Sequence, residues 1–192
     1  IIIRSIHQQC IRCGYESSVL YAIGDSDEEK IICYEGKGAA FSRRVLRKCF
    51  GKNPRFARWS TRQLIRYLQS YQPDLVHLHV LHHGYLDYEI LFEYLINNKI
   101  PVVYTVHDMW VFTGGCYYYT KENCSNFQSG CTECPAASKR LDNSSDKTNY
   151  YFALKKRLIS KLSKIHFVAV SQWVADEMKK SFLSEYPITV IE

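Results

Sequence analysis

The sequence predicts an α/β fold built on a doubly wound parallel sheet, and three observations carry that expectation. Helical and extended patterns alternate along most of the chain. Extended segments such as "PVVYTV" are almost wholly apolar, as strands are when helices cover both faces of a sheet. Three of the strand ends deliver polar or aromatic residues, and an open parallel sheet holds its ligands beyond the carboxyl ends of its strands.

The elements follow in order. Ile3, Ile6, Cys10 and Cys13 recur at helical spacing, and Gly14 supplies a stop. "SSVLYAIG" reads as a strand and "KIICYEG" as a short extended piece. "STRQLIRYLQSYQP" reads as a helix capped near Ser60 and stopped before Pro73. "DLVHLHV" is a strand in which His77 and His79 alternate with apolar residues. "YLDYEILFEYLINNK" is a helix, "PVVYTV" a buried strand. From His107 to Lys147 no period emerges, which is too long for a plain connection and points to a functional or metal-braced loop. "TNYYFALKKRLISKL" is a helix, "IHFVAV" a strand, "SQWVADEMKKSFL" a helix capped by Ser171, and "ITVI" a last strand. The chain opens inside its first helix without Met, so the expectation is an incomplete domain over 1–192 that lacks a first strand and turn.

Composition bounds the class. The 192 residues are 46% hydrophobic and 23% charged, an ordinary globular balance sufficient for one core. No apolar run reaches the ~18 residues of a membrane span and no leader pattern is visible, so the expected compartment is reducing and cytoplasmic. The net charge is +6, and "GKGAAFSRRVLRKCFGKNPRFARWSTRQLIR" contains no acid. Such a stretch meets phosphate, nucleic acid or an anionic membrane, or is only a solvated face.

Strand ends give the candidate site. His82, His83 and Gly84 follow one strand, His107 and Asp108 the next, and Ser171, Gln172 and Trp173 a third. His107 is the sharpest candidate: an imidazole at a strand end can bond a substrate hydroxyl or stabilise developing charge, though a structural histidine is the plainer alternative. Asp108 points away from it on extended backbone and can instead hold the loop or cap a turn. His77 reads as structural, and the H-x-H and H-H spacings match no strong metal pattern. Gly114 and Gly115 permit close approach to a ligand or to another loop. No glycine-rich phosphate motif is present.

The chain has 8 cysteines, of which Cys116, Cys124, Cys131 and Cys134 cluster as C-x7-C-x6-C-x2-C. The last pair is a good chelating half, so a structural zinc is one expectation. Disulfides and free thiols are the alternatives.

"PDLVHLHVLHHGYLDYEILFEYLINNKIPVVYTVHDMWVFTGGC", "GCTECP" and "FVAVSQWVADEMKKSFL" together resemble the bacterial family 4 glycosyltransferases, nearest to those of capsule, exopolysaccharide and colanic-acid assembly. The likeness runs from about Gly14 to the end. It implies a GT-B enzyme of two Rossmann-like domains, of which this chain is the amino-terminal, acceptor-side one with a cysteine-rich loop insertion. It implies retaining transfer of a sugar from a nucleotide-sugar donor to a saccharide or lipid-linked acceptor, without a catalytic metal. The family's "HD" histidine matches His107 and its cleft-lining serine matches Ser171; His82, His83, Gly84, Asp108, Gly114 and Gly115 would line the substrate side. The family's glycine-rich turn would lie upstream of Ile1, and the donor-binding domain with its E-x7-E motif beyond Glu192. Glu177 and Glu185 share that spacing by coincidence, on and past an amphipathic helix. The fragment alone is expected to be inactive, with its missing half as dominant partner and a peripheral contact at the inner membrane face. Two other readings are a non-catalytic sugar or nucleotide-binding domain and a zinc-braced nucleic-acid module. The second is disfavoured because the basic stretch is not richly interleaved with aromatics and the cysteines sit far from it in sequence, so no nucleic-acid partner is expected.

Overall fold

A computed structural model describes residues 2–22, 30–35, 37–50, 54–82, 84–135 and 147–191. The chain packs as two compact units, Ile1–Tyr71 with Gly84–Asp87, and Gln72–His83 with Tyr88–Glu192.

In the first unit, α1 (Ile2–Arg12) ends at Gly14, whose φ of +83° suits the residue without a Cβ. Its buried residue is His7, bonded through Nδ1 to Ser17 Oγ at 2.9 Å. β1 (Val19–Tyr21) and β2 (Ile31–Cys33) pair in parallel, Val19 opposite Ile31. The basic stretch then forms a helix that its charge conceals, α2 (Lys37–Phe50). α3 (Arg58–Tyr71) starts two residues earlier than the sequence suggests. Ser60 is therefore not its cap: it lies inside the first turn and donates its hydroxyl to Ala57 O at 3.1 Å. Arg43 and Arg58 are tied to acids outside the basic run. Arg43 forms a two-pronged pair with Glu35 at 2.7 Å on each arm, and Arg58 meets Asp87 at 3.1 Å.

The second unit holds a four-stranded parallel sheet in the order β3 (Val76–His79), β4 (Val102–Val106), β5 (Ile165–Ala169), β6 (Ile188–Val190). α4 (Tyr88–Asn97), α5 (Thr148–Ser160) and α6 (Gln172–Lys179) flank it. α4 packs against α5, and α6 lies on β5 and β6. Four of the five β4 residues are buried, which is why that strand reads as a continuous apolar run rather than an alternation. Leu95, Val106, Ile159, Phe167 and Met178 are fully buried, each contributing roughly 1.5–3 kcal/mol if large and wholly withdrawn from water. Parallel sheets flanked by helices are the α/β, Rossmann-like fold the sequence predicts.

Candidate active site

The register of β3 on β4 builds the site. Val76 lies opposite Val102, His77 opposite Val103 and His79 opposite Thr105. Side chains alternate along each strand, so His77, His79, Thr105 and His107 share one face. Each β3 histidine reaches two residues further along its neighbour. His77 Nε2 meets Thr105 Oγ1 at 2.8 Å, and His79 Nδ1 meets His107 Nε2 at 3.0 Å. The rings form a ladder, with centroids 4.3 Å apart from His77 to His79 and 5.3 Å from His79 to His107.

Charge is unwelcome in this ladder. Burial, and then the proximity of His77 and His107, lowers His79 to about 4. Burial and then His107 lower His77 as well. Burial likewise lowers His107, partly offset by Asp108. All three imidazoles are thus biased toward the neutral form, in which a ring offers a directed hydrogen bond rather than a positive charge.

Asp108 takes the role of a loop anchor. Its Oδ1 accepts the Trp110 amide at 2.9 Å and caps a 3-10 turn, Met109–Phe112. Its Oδ2 meets His82 Nε2 at 2.5 Å, which joins the ends of β3 and β4. Burial by itself would raise this carboxyl; the bonds from His82 and the Trp110 amide, with the His82 and His107 rings beside it, more than offset that and hold it below the usual range. Lys155 of α5 donates to the Trp110 carbonyl and lies 4.0 Å above the Trp110 ring centroid, pinning the same turn from beneath.

Ser171 is the N-cap of α6, accepting the Val174 amide at 3.3 Å just past β5. Gly84 packs with the first unit at φ +72°, a conformation that accounts for its glycine. His83 lies outside the described residues. The two loop glycines differ. Gly115 has φ +138°. What approaches Gly114 is not an open cleft but α5: a Cβ there would lie 2.6 Å from the Thr148 carbonyl oxygen and 2.7 Å from its Cβ.

None of the four clustered cysteines is joined in a disulfide. Gly114 N–H donates to Cys131 Sγ at 3.1 Å, and burial pushes the Cys131 thiol up to about 11. The loop is also latched to α6 by Tyr119, whose hydroxyl donates to Glu177; Lys180 holds the same carboxylate at 2.6 Å. Glu177 is thus occupied by structural partners, consistent with a coincidental E-x7-E spacing.

A model of Glycosyltransferase Family 4 matches residues 2–192. The chain belongs to Glycosyltransferase Family 4. No curated protein and no solved structure matches it. In this family 4 chain the strand-end edge brings together His77, His79, His82, His107 and Asp108, and sets Ser171 at the end of the adjoining strand. The sequence points to His107 directly. It does not point to His79 as the partner that orients it, although the shared alternation of "HLH" and "YTVH" is the signal that a known register would have turned into a contact.

Proposed function

We propose that the chain is the acceptor-side domain of a retaining glycosyltransferase of bacterial surface polysaccharide synthesis. It works at the cytoplasmic face of the membrane. It moves a sugar from a nucleotide-sugar donor to a saccharide or lipid-linked saccharide. The facing, donor-holding domain of the GT-B pair is its partner, and no catalytic metal is involved.

The observation that carries this reading is the neutral His79–His107 pair at the carboxyl edge of a parallel sheet in a family 4 chain. A sugar leaving a nucleotide passes through an oxocarbenium-like state with negative charge gathering on phosphate. Such a step gains most from fixed dipoles that need no rearrangement. An imidazole locked by its neighbour offers a fixed hydrogen bond of that kind to a sugar hydroxyl. Ser171 and the start of α6 add oriented donors at the next strand end. Asp108, held by His82 and the Trp110 amide, acts as a positioning residue for the loop.

In the intact enzyme, His107→Ala should lower turnover at least roughly tenfold while circular dichroism and melting stay near wild type. Unchanged turnover in a folded variant would remove His107 from the mechanism.

A further inference from the structure

From Thr113 to Pro135 the second unit has little regular structure beyond two short 3-10 turns, Thr120–Glu122 and Asn126–Gln128. Cys116, Cys124, Cys131 and Cys134 nevertheless line one cavity of about 20 Å3, the room a single small sphere needs. The rest of its wall contains no acid and no histidine: Thr113, Gly114, Tyr119, Asn126, Phe127 and Thr148. Sulfur is therefore the metal-binding donor type on offer, and a four-thiol set selects zinc over the hard cations that take oxygen ligands.

The C-x2-C end is held ready by the rest of the loop. Asn126 O accepts from Gly130 N–H at 2.9 Å and from Cys131 N–H at 2.8 Å, while Asn126 Nδ2 donates to Thr132 O at 2.6 Å. Cys131 and Glu133 adopt φ of +52° and +50°, unusual for side-chain-bearing residues and a sign that the turn is imposed. The Gly114 amide aimed at Cys131 Sγ is the outer-shell bond that a metal-bound thiolate uses. The thiols surround the cavity without yet closing on it. Among the described residues no three potential ligands stand together closely enough to hold an ion.

We propose that Cys116, Cys124, Cys131 and Cys134 close on one zinc ion in this cavity, each thiol releasing its proton to solvent, and that this structural site braces the loop leaving the His107 strand. With four protein ligands it has no open position and takes no part in sugar transfer. The inference does not depend on the transferase reading, because its test reads metal and thiols rather than activity.

Metal content is measured on the reduced full chain after zinc addition and dialysis, and thiol alkylation is mapped by peptide mass spectrometry. About one zinc per chain is expected. Cys116, Cys124, Cys131 and Cys134 should resist alkylation until a chelator is added, while exposed Cys13, Cys33 and Cys49 label at once. Cobalt in place of zinc should give intense sulfur-to-metal charge-transfer absorption. Cys134→Ser should lower zinc content and expose the other three thiols, whereas Cys49→Ser should change neither. If Cys134→Ser does not fold, the wild-type metal and alkylation results decide alone. Less than about 0.1 zinc per chain, with the four thiols labelling as fast as Cys13, would overturn the proposal. So would two disulfides among them.

Discussion

His79 bears the heaviest electrostatic burden of the three neighbouring imidazoles. Its ordinary value of about 6.5 falls to about 4 in the folded chain, because burial and two neighbouring imidazoles oppose its charge. The sign of the pH effect follows. Between pH ~6.5 and ~4 the unfolded chain binds a proton at this residue that the folded chain refuses, so stability falls as pH falls through that window. Above pH ~6.5 neither state is protonated and the term vanishes. His77 and His107 are lowered too and add in the same direction. Each pKa unit is worth about 1.4 kcal/mol, and screening at this half-buried edge reduces the yield, so a net loss of roughly 1 kcal/mol from pH 7.5 to pH 5 is expected. Urea melts at the two pH values measure it. His79→Gln should flatten the slope relative to wild type; an unchanged slope would mean that other groups set it. The same variant should alter His107's hydrogen bonding, so that turnover falls while donor binding is less affected. The pair was only half legible in the sequence. His107 stood out by its place at a strand end, but His79 became its partner only through the β3–β4 register, which no local pattern specifies.

At the scale of elements, what could be read and what could not differ by burial. β3 to β6 and their helices are legible because their apolar residues leave either a helical period or a short apolar run, as in β4, where four of five residues are buried. α2 was not legible as a helix: Phe41, Val45 and Leu46 are exposed, so no buried stripe marks it among its cations. The start of α3 is not fixed by its serine, because a serine at a plausible cap position can equally sit inside the first turn and bond back to the residue before the helix. The cysteine loop shows a third case, in which the residue types were evident but their convergence was not. Gly114 gives a test of how that loop is seated. Its absent side chain lets the chain approach Thr148, whose hydroxyl also donates to Cys131 O at 2.8 Å and ties α5 to the cysteine turn. A methyl group at Gly114 meets backbone at 2.6 Å, which cannot rotate aside. Gly114→Ala should cost about 1–3 kcal/mol in thermal or urea unfolding, with Gly115 at φ +138° a second sensitive position. A variant as stable as wild type would show that loop and α5 separate readily. The Cys131 environment would then be far less fixed than the 3.1 Å bond from Gly114 implies.

For the molecule as a whole, the distribution of charge bears on where it works. No described helix is long and apolar enough to cross a membrane. The net charge is +6, and the stretch from Lys37 to Arg66 carries no acid. Folding partly neutralises it, since Arg43 is buried against Glu35 and Arg58 meets Asp87. What stays exposed on α2 is an amphipathic surface of a particular kind. Phe41 and Val45, four residues apart, stand on one face at 68% and 44% exposure, with Arg44 and Lys48 on the adjoining stripe and buried Arg43 on the far side. Apolar side chains on a solvent face flanked by cations suit the boundary of an anionic bilayer, where rings enter the acyl edge and cations meet headgroups. Each cation near such a surface is worth about 1 kcal/mol, and the attraction decays within a Debye length of ~10 Å at 0.1 M salt. The chain should therefore sediment with vesicles rich in phosphatidylglycerol and much less with pure phosphatidylcholine. Arg44→Glu with Lys48→Glu should weaken that binding by at least roughly tenfold, because two such attractions become repulsions. Phe41→Ser should weaken it in a manner that added salt does not reproduce, since salt screens charge and leaves apolar insertion intact. Equal binding to neutral and anionic vesicles, or no effect of the double reversal, would return α2 to a merely solvated face.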